Sequence, residues 1–392
     1  MKICVVTSTY PRSADDAAVP WLRETVNLVN GSPGNQVMVL APSYKGLSSH
    51  SVDGVRVERF RYFLAKGEDL THDSGAPTKI RSPKQLAKTG FYVAAGALAL
   101  ARLHRRERFD VLHVHWPFPH AAFALWARIF RRAPMVLNFH GAELLLAKKI
   151  PVVNPFLRFA GKRAAALLTN SSFTAAKVQA VGLPMPTILP YGSPLPERQI
   201  PPRPAGRKNL LFVGRLIERK GVEYLLRAMP LLADDPQIHL TVVGAGVLKD
   251  GLMQLARELG QQDRVTFKSD LSPEELTQEY VNADIFVLPA IVDSRGDTEG
   301  LGVVLIESIA FGLPVIASDV GGIPDVAIDG QTAILVPEKD PAALAKAIRS
   351  AFADPGQTAR LVEQAKQHVA ENFSWDVILR RTLDLYEGLP RR

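Results

Sequence analysis

Short apolar runs recur along this chain, and they are apolar nearly throughout rather than at every second position. In the first half they read "KICVVTS", "QVMVLAP", "GVRVERF", "DVLHVHW", "PMVLNFH", "ALLTN" and "PTILPY". In the second they read "NLLFVG", "IHLTVVG", "RVTFK", "DIFVLP", "PVIAS" and "TAILVP". Helical stretches lie between them, such as "AAVPWLRETVNLV", "KQLAKTGFYVAAGALALARLHRRE", "SSFTAAKVQAV", "GVEYLLRAMPLLA" and "PAALAKAIRSAFA". Continuous apolar strands between amphipathic helices are what a parallel sheet covered on both faces requires. The stretch "LPYGSPLPERQIPPRPAGRK" at 189–208 separates the two series and holds six prolines. It suits neither a helix nor a central strand, so it reads as a linker. The expected fold is α/β, with two Rossmann-like domains whose parallel sheets face each other across a cleft. Their bounds are 1–195 and 196–373, followed by an amphipathic terminal helix from a Ser cap at 374 to 392.

A length of 392 residues suits two domains that each bury a core. The single cysteine, Cys4, lies in an apolar run, where a buried inert thiol is expected and no disulfide can form within the chain. That usage suits a reducing cytoplasm. The opening "MKICVV" is too short for the apolar core of a signal peptide. Charge is unevenly spread: residues 1–195 carry 25 Lys and Arg against 11 Asp and Glu, whereas 196–392 carry 22 against 28. The basic first half suggests an anionic surface or partner, against the plainer reading of a solubilising charge.

Ligands of doubly wound sheets sit beyond the carboxyl ends of strands, near helix N-termini. In "LLFVGRLIERKGVEYLL" a strand ends at Gly214 and a helix starts near Gly221. Arg215 and Lys220 in that loop can both reach one phosphate; the alternative is two solvated cations. "TVVGAGVLKDGL" offers Gly244 and Gly246, but Lys249 stands where a dinucleotide fingerprint needs its third glycine. A tight turn admitting a ligand to the backbone is the remaining reading of Gly244. In "EGLGVVLIESIAFG", Glu299 and Glu307 bracket seven uncharged residues. Gly300, Leu301 and Gly302 leave backbone N–H groups open at a helix start. Glu307, inside that helix, can accept two ribose hydroxyls, and Glu299, on the loop, can accept hydroxyls of a sugar. The competing account is an acid pair capping neighbouring helices.

"GRLIERKG", followed by "EGLGVVLIESIAFGLPVIASDVGGIPDVAIDGQTAILVP", resembles the C-terminal domain of retaining GT-B glycosyltransferases of family 4, and "NFHGAE" resembles their histidine-containing segment. The resemblance implies that Arg215 and Lys220 grip the donor diphosphate and that Glu307 binds the ribose. Glu299 would lie near the donor sugar, with backbone contacts from Gly300, Leu301 and Gly302. His140 would stand near the sugar's primary hydroxyl, and the terminal helix would pack back on the first, acceptor-binding domain. Where many relatives carry a Gly-Gly loop, this chain reads "TYPRSADDAAVPW", so Asp16 is either an acceptor-pocket residue or a helix-start acid. His113, His115, His120 and His140 raise the idea of zinc, but no cysteine or carboxylate joins them at ligand spacing, so neither metal nor cofactor is expected.

The implied reaction is transfer of a hexosyl unit from a UDP- or GDP-sugar to a hydroxyl acceptor with retained configuration, in glycan or glycolipid synthesis. Rival readings are a sugar-nucleotide epimerase of the same fold and an NAD-dependent oxidoreductase, the latter opposed by the missing fingerprint. A nucleic-acid partner is not expected, because the second half lacks basic–aromatic interleaving. Lys84, Lys88 and Arg102–Arg108, with "RIFRR" and "LAKKIPVVNPFLRFAGKR", suggest peripheral association with an anionic membrane. A cytoplasmic protein on the inner membrane face, with a lipid-linked acceptor, would fit that reading.

Overall fold

The computed structural model describes residues 1–16, 18–72, 83–193 and 208–390; most of the proline-rich linker lies outside these. The chain divides into two compact units, Met1–Pro190 with Trp375–Arg392, and Tyr191–Ser374.

The first unit holds β1 (Lys2–Val6), β2 (Gln36–Pro42), β3 (His50–Val52), β4 (Val55–Phe60), β5 (Val111–His115), β6 (Met135–Phe139), β7 (Ala166–Thr169) and β8 (Thr187–Ile188). They form one sheet in the order β3-β4-β2-β1-β5-β6-β7-β8. Its apolar runs are continuous because both faces are covered. Ile3, Val5, Val37 and Val39 point into one core, whereas Cys4, Val6, Met38 and Leu40 point into another. Cys4 is fully buried, as expected. The first core is closed by helix Pro20–Gly31 and by the terminal helix Trp375–Glu387, which contributes Ile378 and Tyr386. Each such fully buried aliphatic side chain contributes about 1.5–3 kcal/mol.

One strand departs from the all-parallel expectation. β3 runs antiparallel to β4, pairing His50 with Val57 and Val52 with Val55. The two-residue turn Asp53-Gly54 has φ of 52° and 79° and closes this hairpin. "DG" between apolar residues is the sequence signal for such a turn.

The second unit holds β9 (Lys208–Val213), β10 (Ile238–Val243), β11 (Val265–Lys268), β12 (Ile285–Leu288), β13 (Val315–Ser318) and β14 (Ile334–Val336). All pairs are parallel, in the order β11-β10-β9-β12-β13-β14. Helix starts are locally encoded: Ser272 and Glu275 form a reciprocal capping box, and Asp340 accepts from Ala343 N. Both sheets reverse their winding direction beside the first strand of the unit, at β1/β5 and at β9/β12. The crevice outside the carboxyl ends of such strands is where doubly wound sheets take ligands.

Candidate functional site

In the second unit, the loops following β9 and β12 meet at the switch point. The chain leaves β9 through Gly214 and Arg215, makes a short 3-10 turn over Glu218–Lys220, and enters helix Val222–Ala228 at Gly221. Gly221 is obligatory there. Its φ is 65°, and a Cβ would lie 1.8 Å from Pro289 O, on the loop after β12. Gly244 is constrained by packing as well. A Cβ there would lie 1.9 Å from Gly214 O, so its bareness is required by the packing of two loops.

The charged residues of these loops are largely paired with one another. Lys220 Nζ lies 2.5 Å from Glu299 Oε2, and Arg219 Nη1 donates to the same oxygen at 3.0 Å. Arg219 Nε also lies 3.7 Å from Asp297. Burial works to raise the Glu299 carboxyl, but Lys220 and Arg219 outweigh it and hold it down at about 2. Its backbone is held as well: Gly322 N donates to Glu299 O at 2.9 Å. Glu299 Oε2 is therefore already engaged by two cations, and Lys220 is not a solvated cation. Arg215 is the exposed cation of this loop.

Helix Val303–Ala310 starts at Gly302, whose φ of 84° turns the chain into it. Leu305 N donates to Gly302 O at 2.8 Å, and the N–H groups of Val303 and Val304 precede the helix's own bonding pattern. Leu301, just before Gly302, is buried. Glu307 lies on the buried face, and its Oε2 accepts from the Tyr280 hydroxyl at 2.7 Å. Burial pushes its carboxyl up to about 7, against the hydrogen bond from Tyr280 and the charge of Lys220. The two acids are thus shifted in opposite directions, Glu299 down by its cations and Glu307 up by burial. Neither caps a neighbouring helix.

In the first unit, the carboxyl ends of β5 and β6 carry a ladder of rings. Tyr386, on the terminal helix, lies with its hydroxyl 2.6 Å from His113 Nδ1. His113 stacks on His115 with centroids 4.5 Å apart, and His115 Nδ1 lies 3.0 Å from His140 Nε2. Trp116 and Trp21 flank His140 at 4.4 and 5.0 Å. Burial pushes His113 and His140 down to about 3, so the ladder is neutral at ordinary pH. His140 is also fixed through its backbone, whose N–H donates to Glu143 Oε1 at 2.7 Å. Burial raises the Glu143 carboxyl to about 7. His120 is occupied elsewhere, between Trp116 O at 2.7 Å and the Tyr92 hydroxyl at 2.8 Å. Among the described residues no group of three or more His, Cys, Asp or Glu is arranged to hold a metal.

Asp16 is not a helix-start acid, since the helix begins at Pro20. It accepts from Arg12 N at 3.0 Å, Arg12 Nε at 2.6 Å and Ala18 N at 3.1 Å, and so braces its own loop. Burial opposes its ionisation, but the hydrogen bonds from Arg12 hold its carboxyl below the usual range.

Sequence reasoning passed over Arg219, Tyr280, Glu143, Trp21, Trp116 and Tyr386. Arg219 stands beside Lys220 in "ERKG", and nothing in spacing separates a cation facing Glu299 from one facing water. Tyr280 and Tyr386 become partners of Glu307 and His113 only through contacts across 27 and 273 residues of chain.

Two doubly wound α/β units, each with a polar cluster at the carboxyl edge of its sheet, are the components of the GT-B fold. Residues 31–192 match the family described as glycosyl transferase 4-like domain, and residues 196–368 match glycosyl transferases group 1. The chain is 30% identical over 285 residues to the GDP-mannose-dependent alpha-(1-6)-phosphatidylinositol monomannoside mannosyltransferase of Mycolicibacterium smegmatis. That alignment covers 68% of this chain and 74% of the relative. An uncharacterized glycosyltransferase of Methanocaldococcus jannaschii is 34% identical over 180 residues, covering 46% of this chain and 45% of the relative. Anabaena HepE, solved in complex with UDP and glucose, superposes with a TM-score of 0.72 at 17% identity, covering 99% of this chain and 100% of that one. The chain belongs to the glycosyltransferase family that joins these 4-like and group 1 domains.

Proposed function

We propose that this glycosyltransferase moves a hexosyl unit from a nucleoside-diphosphate sugar to a hydroxyl acceptor, with retention at the anomeric carbon. The observation that carries the reading is the convergence of Arg215, Lys220, Glu299, Glu307 and the start of helix Val303–Ala310 at the switch point of one sheet. Arg215 and the helix-start N–H groups supply positive potential for a diphosphate. Glu299 orients Lys220 and Arg219, and Glu307 accepts ribose hydroxyls. In the transfer, the bond from the anomeric carbon to the phosphate oxygen breaks. The acceptor oxygen bonds to the same face of that carbon, and its proton passes to the departing phosphate oxygen. The charge that develops on the diphosphate is what preorganised donors stabilise most. The second unit is thereby the donor domain, and the first unit, with His140 at its carboxyl edge, takes the acceptor.

The mycobacterial relative's name favours a GDP-sugar, mannose in particular, and an acceptor carried on a lipid. A thermal-shift screen against GDP-mannose and other GDP-, UDP- and ADP-sugars tests the donor, since a specific ligand raises the melting temperature by mass action. Analysis of the product's anomeric configuration tests retention. Turnover is expected to survive EDTA, because protein groups carry the charge stabilisation. Stabilisation by no nucleotide sugar, or an inverted product, overturns the reading.

A further inference from the structure

An exposed apolar groove of the first unit lies away from the ring ladder. Helices Pro117–Phe130 and Val153–Gly161 pack side by side, with the Phe118 and Phe156 rings 5.6 Å apart. Arg128 Nη1 donates across to Arg163 O at 2.9 Å. Between the helices runs a groove of about 830 Å³ lined by Trp126, Ile129, Phe156 and Phe159. Ile129 is 70% exposed, Phe159 49% and Trp126 48%. Pro134 and Ala165 line it too, and they precede β6 and β7. The groove therefore reaches the amino edge of the sheet, opposite the edge that carries His140.

Its rim is cationic. Arg132 and Arg163 line it, and Arg163 lies over the Phe159 ring at 3.7 Å. Among the described residues no lining side chain is a carboxylate. Residues 111–195 contain nine Lys and Arg and a single acid, Glu143, which is buried. The basic helix Pro83–Glu107 differs. Arg106 pairs with Glu107 at 3.0 Å and Glu58 at 3.5 Å, and Lys88 pairs with Asp69 at 2.8 Å. The side chain of Lys84 lies outside the described residues. Tertiary structure thus brings "RIFRR" and "NPFLRFAGKR" to one face, with Arg132 and Arg163 on the groove.

We infer that this face docks on an anionic phospholipid surface, with Ile129, Trp126 and Phe159 entering the headgroup boundary and Arg132 and Arg163 meeting lipid phosphates. Exposed apolar side chains ringed by arginines match a surface that is apolar beneath and anionic above. A second copy of the chain is the poorer fit. A two-fold contact would set these arginines against their own counterparts, with no carboxylate side chain among the described lining residues to separate them. The inference goes beyond the transfer reaction and stands without it.

The test uses the full chain and vesicles of phosphatidylcholine with 0–40% phosphatidylglycerol, the composition being the experimenter's choice. Pelleting with anionic vesicles is expected to exceed that with neutral ones by at least about fivefold at low salt, and to fall as salt is raised. Ile129→Asp and the double variant Arg132→Glu, Arg163→Glu are each expected to abolish most of that binding while keeping the wild-type melting temperature. Equal pelleting with neutral and anionic vesicles overturns the inference. So does undiminished binding by the arginine variant, should Ile129→Asp prove misfolded. A wild-type dimer in sedimentation velocity that Ile129→Asp dissociates assigns the face to self-association instead. Nucleotide-sugar binding, measured in parallel, reports on the donor reading separately.

Discussion

Lys220 and Glu299 are joined by a 2.5 Å ion pair that ties the loop after β9 to the loop after β12. Both side chains are buried, and Arg219 shares the carboxylate. Removing one partner of a buried pair leaves the other charge uncompensated, which costs about 3–5 kcal/mol. Glu299→Gln is therefore expected to lower stability by roughly 3 kcal/mol in urea unfolding. The folded carboxyl titrates at about 2, below its unfolded value, so the stabilisation is present above the ordinary carboxylate range and is lost as pH falls toward 2. Stability of the variant indistinguishable from wild type at pH 7 removes the pair from any structural role.

Arg215 and Lys220 are expected to separate under mutation. Arg215 is exposed, so Arg215→Ala changes stability by no more than about 0.5 kcal/mol. It lowers kcat by about 10²–10³, the effect of losing one preorganised donor to the developing charge. Lys220→Ala harms stability as well, because it strands Glu299. Wild-type turnover in Arg215→Ala refutes the phosphate assignment.

Donor affinity is expected to rise with pH. Glu307 titrates at about 7, and only its ionised form accepts from two hydroxyls without giving up an acceptor site to its own proton. Calorimetry at pH 6 and pH 8 reads this directly, and Glu307→Gln flattens the dependence. The stability consequence has the opposite sign. The folded pKa exceeds the unfolded one, so the buried carboxyl costs stability increasingly as pH rises from the unfolded value to about 7. Glu307→Gln relieves up to about 3 kcal/mol of that cost at pH 8. Donor affinity that falls with pH would exclude Glu307 from the ribose site.

His115 is expected to act through His140. Its Nδ1 shares a proton with His140 Nε2 at 3.0 Å, which fixes the ring and its tautomer. His115→Ala is expected to lower kcat about tenfold or more, with KM for the donor unchanged. Tyr386→Phe leaves His113 Nδ1 buried without its partner and costs about 1–3 kcal/mol in stability. A KM effect with no kcat effect for His115→Ala excludes the positioning role.

Gly221 and Gly34 form a matched pair for stability. Both have positive φ, 65° and 74°, but only Gly221 faces a backbone atom where a Cβ would stand. Gly34→Ala meets nothing within 4 Å and should cost only the left-handed conformation, about 1–2 kcal/mol. Gly221→Ala must also move the Pro289 carbonyl, so its melting temperature is expected to fall further. Equal losses would mean that the loops after β9 and β12 are free to part.

The sequence by itself determined the fold class, because near-continuous apolar strands between amphipathic helices leave the chain nothing else to bury. It also placed the polar clusters at strand ends, since a parallel sheet has one carboxyl edge and the motifs follow the strands. It carried the β3–β4 turn as well, in "VDGV", although the hairpin was not read from it. Tertiary structure decided which charges are spent on each other. Lys220 in "ERKG" and Glu299 in "EGLG" stand 79 positions apart, and only the pairing of β9 with β12 brings them together. Tyr386 reaches His113 because the chain returns to the first unit for its last helix. The same holds for the arginines around the groove. Whether a cation faces an acid, an aromatic ring or water depends on neighbours remote in sequence, and local pattern carries no record of them.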